Sequence, residues 1–282
     1  MTITSKKSRQ SRKNNAIDVM IQPKYQMVPH TPIIIPNLMY NIDPDDYVPS
    51  TMRGKHILVL GATGGLGAQV VNQALDASYH VTALVQNDIN LPFTRHQLRN
   101  PNLVIVVGSV LSRDDLDKVI EHQDAIINCL GPKPLFATDI DICSRSQSLI
   151  ISSMKQFGVR RLIAVTCQGV TDDFDDDNFI KSTCAIQPQL TNGIQKFFEN
   201  LFSGKILQDK AIQERIIINN TKAIDWTIIR PGKLTNGQLT NEYTINEKAN
   251  YNKVSRANVA HFILKELRSA EWARKCVSVN SY

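Results

Sequence analysis

His56–Val71, HILVLGATGGLGAQVV, is the stretch whose reading decides the fold. The β-branched and apolar run Ile57 to Leu60 reads as a buried strand. Gly61, Gly64 and Gly67 follow at GxxGxxG spacing, and an apolar helical pattern begins at once with Leu66, Val70, Val71, Ala74 and Leu75. Strand, tight glycine turn and helix follow without a gap. Glycine serves three ends here: Gly61 permits a sharp turn, Gly64 lets the backbone approach a diphosphate, and Gly67 lets the helix pack close to the strand. The unpaired amides and positive dipole end of the helix then face the phosphates. A glycine pattern alone often only punctuates a loop, so the reading depends on its context.

Further strands and helices alternate downstream. Strands are expected at 81–85, 103–107, 125–129, 161–166, 224–229 and 276–279, with a short irregular crossover before the strand at 103. Helices are expected at 65–77, from about Ser112, at 140–157, at 193–220 and at 255–268, the last capped by Ser255. This order implies an α/β fold, a Rossmann-type doubly wound parallel sheet in a single domain of residues 53–282. Right-handed crossovers place a ligand at the carboxyl ends of the strands. Residues 1–52 are expected to form an irregular, poorly ordered N-terminal extension. Pro23, Pro29, Pro32, Pro36, Pro44 and Pro49 leave no room for a long helix there. The acidic stretch TDDFDDDNF, 171–179, reads as a solvated loop, because no partner ligand stands at metal-binding spacing.

At 282 residues with 42% apolar side chains, the chain has the composition of a soluble globular protein. No apolar run is long enough to cross a bilayer. The net charge of +6 is concentrated in the first 24 residues, where Lys6, Lys7, Arg9, Arg12, Lys13 and Lys24 face only Asp18. That is the pattern of a solvated basic arm, so nucleic acid is not expected as a partner. The five cysteines are odd in number and form no CxxC pair, which points to a reducing compartment without disulfides or a zinc site. The N-terminus lacks the apolar core of a secretory signal. A cytoplasmic location is therefore expected. The Lys-, Arg- and Ser-rich start keeps the mitochondrial matrix open as the other compartment.

The segments HILVLGATGGLG, VTALVQND, VVGSVL, QDAIINCLG, VRRLIAVTCQGV, LQDKAIQE, DWTIIRPGKLTNG and VSRANVAHFILKEL span residues 55–282 in this order. As an ordered set, they resemble the atypical short-chain dehydrogenase/reductase family, in the NAD(P)H-binding branch that contains NADPH flavin reductase and biliverdin-IXβ reductase. The resemblance implies a bound nicotinamide cofactor and hydride transfer to a flavin-like, biliverdin-like or quinone-like small-molecule acceptor, by a monomer or homodimer. It implies that Gly61, Thr63, Gly64, Leu66 and Gly67 hold the diphosphate. Gln86 stands where many members place an arginine against the adenosine 2'-phosphate. A neutral amide cannot make the charge-assisted fork an arginine makes. Yet the second strand ends without the acid that would select NAD. NADP is thus the expected cofactor, with NAD second. Ser109 occupies the place of an aspartate beside the adenine, Leu130 and Gly131 pass the sugars, and Arg230, Pro231 and Gly232 come close to the nicotinamide. For Arg230, a structural pairing at the strand end is the other reading.

Many reductases of the wider superfamily use Ser, Tyr and Lys together. Lys210 aligns with the lysine, where it would meet the nicotinamide ribose or else pair with Glu214 one helical turn on. Cys167 aligns with the serine, and Thr166 beside it is counted with the cofactor-binding positions. Lys210 and Cys167 are thus the candidate catalytic residues. The tyrosine is replaced by Ile206, which has no proton to give. Phe174, Phe179, Phe197, Phe198 and Tyr243 are candidate aromatic walls for the acceptor. These departures also keep open a non-catalytic NAD(P)-binding redox sensor or structural subunit.

Overall fold

The computed structural model describes residues 55–131, 140–170, 193–247 and 252–281. The proposed extension 1–52, the acidic loop 171–179 and the candidate wall residues Phe174 and Phe179 lie outside the described residues. Phe197 and Phe198 lie in a helix segment whose side chains are likewise not described.

In chain order, the elements are β1 (His56–Leu60), α1 (Gly65–Asp76), β2 (His80–Val85), α2 (Arg95–Leu98), β3 (Leu103–Val107), α3 (Arg113–Ile120), β4 (Ala125–Asn128), α4 (Ile142–Phe157), β5 (Arg161–Val165), α5 (Gly193–Ile218), β6 (Asp225–Pro231), β7 (Lys233–Thr235), β8 (Thr244–Asn246), β9 (Lys253–Ser255), α6 (Arg256–Ser269) and β10 (Lys275–Asn280). Eight strands form one sheet in the order β3-β2-β1-β4-β5-β6-β10-β8. The first six strands follow the 3-2-1-4-5-6 order in which a dinucleotide sits where the strand order reverses, beside β1. The sheet is doubly wound and parallel as expected, except for the short β8, which the sequence did not announce and which pairs antiparallel with β10. Registers such as Leu60↔Leu84, Leu60↔Asn128, Val85↔Val107 and Val165↔Ile229 bring the carboxyl ends to one edge.

β1 is apolar throughout because both of its faces are covered. Ile57 and Val59 join the core beneath α1 and α6, while Leu58 and Leu60 join the core beneath α3 and α4. Side chains alternate across a strand, so a strand buried on both sides reads as an unbroken apolar run. Serine caps appear where an apolar helical pattern starts. Ser112 accepts from the Asp115 amide, and Ser255 accepts from the Asn258 amide at 3.0 Å. The crossover expected to be irregular contains the single turn α2. It is closed by a capping box in which Thr94 and Gln97 bond each other's backbone.

An ion pair is buried between the sheet and α6. Arg161 of β5 meets Glu266 of α6 at 2.8 Å, and Thr227 of β6 bonds to both. The side chains are 2% and 0% exposed, so truncating one partner would strand a buried charge, at a cost of about 3–5 kcal/mol. At one sheet border, β3 presents Val104 and Val107 to solvent, and at the other lies the three-residue β8. Among the described residues no helix is long and apolar enough to cross a membrane.

Candidate functional site

The turn after β1 has its shape fixed by backbone crowding. Gly61 holds φ at +74°, and its carbonyl accepts the Gly64 amide at 3.0 Å. A Cβ at Gly61 would lie 2.7 Å from the Cys129 oxygen, and one at Gly67 would lie 2.2 Å from the Gly61 oxygen. Only hydrogen fits at either place. Gly64 caps α1 without a side-chain bond, and the first turn carries no acid. Among the described residues no side-chain cap is made to its first turn, and the helix dipole favours an anion there. Thr63, Gly64 and Gly65 are exposed, while the Leu66 side chain is buried in the core, so any diphosphate contact from Leu66 runs through its backbone. This cradle has the shape and polarity that a dinucleotide diphosphate requires.

The other candidate positions follow the carboxyl ends of the neighbouring strands. Gln86 is exposed after β2, and Gly131 is exposed after β4 with open space where a Cβ would stand. Ser109, after β3, is turned inward: its amide donates to Asp115, and its hydroxyl accepts from the Leu111 amide. The Ser109 amide, through that bond, holds the Asp115 carboxyl below the usual carboxylate range.

The LQDKAIQE run forms a buried polar face on α5. Asp209, Lys210, Gln213 and Glu214 are spaced i, i+1, i+4 and i+5, so they project from one side of the helix. All are at most 4% exposed. Asp209 accepts the amides of Cys143 and Ser144, which completes the start of α4. Lys210 donates to the carbonyls of Leu130 at 2.7 Å and Val165 at 3.0 Å, and to Gln213 Oε1 at 3.0 Å. Gln213 and Asn128 both donate to Gln147 Oε1. Glu214 accepts from the Thr166 hydroxyl at 2.6 Å and pairs with Arg230 at 2.5 Å.

These contacts revise several expectations. The Lys210–Glu214 pair does not form, because Arg230 and Thr166 take the carboxylate and the ammonium spends its three donors on strand ends and Gln213. Arg230 takes the structural pairing, and the Thr166 hydroxyl is committed to Glu214 rather than to an open cleft. Half-buried Cys167 has its thiol pushed up to about 11, chiefly by burial, which favours the protonated thiol. Burial likewise lifts Cys129 to about 12 and Cys143 to about 11. Tyr243 bonds His261 at 2.8 Å and packs edge-on against Phe262, which makes it part of the α6 packing rather than an acceptor wall. Ile206 is half-buried.

A polar recess of about 580 Å³ lies beyond β7 and β9, lined by Thr235, Gln238, Thr240, Lys253, Ser255 and Asn258 among others. Asn258 fixes its wall by accepting the amides of Thr240 and Asn241. Arg256, at the start of α6, lies against Gly65 and bonds Asn236. Neither Arg256 nor the recess stood out in the sequence; for the α5 face, the i, i+1, i+4, i+5 polar spacing was the available signal. Among the described residues no group of three or more His, Cys, Asp or Glu side chains could hold a metal ion.

A family model described as NAD(P)H-binding matches residues 61–270, beginning at the first glycine of the cradle. The chain belongs to this NAD(P)H-binding family. Its fold and membership agree with the branch that the sequence motifs resemble. This NAD(P)H-binding chain is 27% identical over 164 residues to the sterol-4-alpha-carboxylate 3-dehydrogenase (decarboxylating) of Bos taurus. The match covers 57% of this chain and 42% of the cattle enzyme, so the chain spans less than half the length of that relative. It is 28% identical over 236 residues to an uncharacterized chloroplastic protein of Arabidopsis thaliana, covering 82% of this chain and 78% of the plant protein. In fold it is similar to ChuY, an anaerobilin reductase of Escherichia coli O157:H7, with a TM-score of 0.61 at 19% identity over 80% of this chain and 97% of that one.

Proposed function

We propose that this protein is an NADPH-dependent reductase of a flat flavin-like, biliverdin-like or quinone-like acceptor, with NADH the weaker cofactor. The observation that carries the reading is the cradle at the start of α1. There, among the described residues, the first turn has no side-chain cap and carries no acid, and Gly61 and Gly67 leave no room for a side chain. Membership of the NAD(P)H-binding family and the fold shared with an anaerobilin reductase support it.

A reduced nicotinamide, when bound, supplies the hydride. The chain's residues bind and orient. The loop from Gly61 to Gly67 receives the diphosphate, and exposed Gln86, with no acid ending β2, leaves the adenosine ribose side open to a 2'-phosphate. Lys210 fixes the ends of β4 and β5 against α5 and so holds the floor of the cleft. No proton donor replaces the tyrosine at Ile206, which suits an acceptor whose proton comes from water. Positioning alone can contribute roughly 7–11 kcal/mol toward lowering a barrier. The reaction takes place in the cytosol or the mitochondrial matrix.

Purified protein is expected to enhance or blue-shift NADPH fluorescence and to consume NADPH only when an acceptor from a panel of flavins, biliverdins and quinones is present. Binding without turnover on any of them would leave the reductase reading untenable. It would favour a second reading, a non-catalytic NAD(P)-binding redox sensor or structural subunit. The commitment of Lys210 to the Leu130 and Val165 carbonyls and of the Thr166 hydroxyl to Glu214 speaks for that second reading.

A further inference from the structure

Arg256 is the first residue of α6, a position where a helix dipole disfavours a cation. Its side chain crosses to a second helix start. A Cβ on Gly65 would lie 2.9 Å from Arg256 Nε and 3.0 Å from its Cδ, so the guanidinium stem rests on the first turn of α1. That turn carries no acid, and among the described residues no carboxylate lies within ion-pair distance of Arg256. Nη1 donates to Asn236 Oδ1 at 2.7 Å, which fixes the plane of the group. The two helices are tied further along by Gln73, which donates to the Ala257 carbonyl at 2.9 Å. A full positive charge is thus held between two positive helix ends with no anion from the described chain to balance it.

We propose that Arg256 is a diphosphate-binding residue, reaching from α6 to close over the phosphates that the glycine cradle receives from below. The assignment rests on the dinucleotide reading of that cradle. An anion lying between the guanidinium and the α1 amides turns mutual repulsion into shared attraction, and a guanidinium presents the donor geometry that phosphate oxygens accept. Gly65 is the residue that lets the arm lie there. Asn236 is the residue that aims it, and it stands in the loop leading to the polar recess.

The test is calorimetric titration of the full chain with NADPH and with NADH, comparing wild type with Arg256→Gln, which keeps a donor for Asn236 and loses the charge. The diphosphate is common to both dinucleotides, so both are expected to bind about ten- to a hundredfold more weakly, by a similar factor. The dependence of affinity on salt is expected to become shallower in parallel. A loss confined to NADPH would put the guanidinium at the 2'-phosphate and overturn the assignment, and affinities within twofold of wild type would overturn it too. Wild-type protein that binds neither dinucleotide would instead remove the reading on which the assignment stands. If Arg256→Gln does not fold, Asn236→Ala in the exposed loop decides, because it keeps the charge and loosens its aim. A shared loss for both dinucleotides supports the proposal, and unchanged affinity for both overturns it.

Discussion

A methyl group at position 67 would have to share space with the Gly61 carbonyl, whereas one at position 131 would meet nothing within 4 Å. Gly67→Ala is therefore expected to cost about 1–3 kcal/mol or more, as overpacking does, and to abolish dinucleotide binding. Gly131→Ala should stay within about 0.5 kcal/mol of wild type. Chemical denaturation of the two variants side by side checks both. Lys210 gives a second contrast. If its work were only to touch a ribose, Lys210→Met would leave stability unchanged. Because its ammonium satisfies the Leu130 and Val165 carbonyls, the variant is expected to lose about 2–4 kcal/mol in the same measurement without any cofactor present. The glycines were legible in the sequence because their reason is local: a turn and a close approach within a few residues. The surroundings of Lys210 were not, since its partners lie 80 and 45 residues away along the chain and only the folded sheet brings them together.

Elements with long, strongly patterned sequences came through within one or two residues. β1, β4 and β5 are largely apolar runs because both of their faces are covered, the border strand β3 is apolar although Val104 and Val107 meet solvent, and the helices keep their apolar stripe. What escaped were β7, β8 and β9, each three residues long, too short for any period to declare itself. The single-turn α2 escaped as well, though its Thr94–Gln97 spacing carries the capping signal. The polar face of α5 was visible as a motif but not as a structural device: Asp209 serves as the cap of a different helix. Asp209→Ala should remove two acceptors from the start of α4 and cost about 0.5–2 kcal/mol, with faster amide exchange at Cys143 and Ser144 than at the far end of that helix. Exchange that rises evenly along α4 would speak against a capping role.

For the molecule as a whole, the titrating groups set how stability follows pH. His261 is held below its ordinary value of 6.5 by desolvation, with Arg268 and Lys265 acting in the same sense. The unfolded chain therefore takes up that proton first, and stability falls as pH drops below about 6.5 until the folded histidine is also protonated. Asp117 is kept low mainly by the Ser153 hydroxyl, and Asp115 mainly by the Ser109 amide. Their contributions are present above the unfolded carboxylate range and disappear as pH falls through their depressed folded values. Thermal midpoints taken stepwise from pH 8 downward should decline from about pH 6.5, and His261→Gln should flatten the first part of that decline. The two borders of the sheet differ in what they invite. A five-residue row of LVIVV with two valines in water, free of proline and lysine, is a template on which another chain's strand can grow, while a three-residue border offers little purchase. Concentrated solutions should therefore coalesce along β3, and Val104→Lys should raise the concentration at which light scattering appears while leaving dinucleotide affinity untouched.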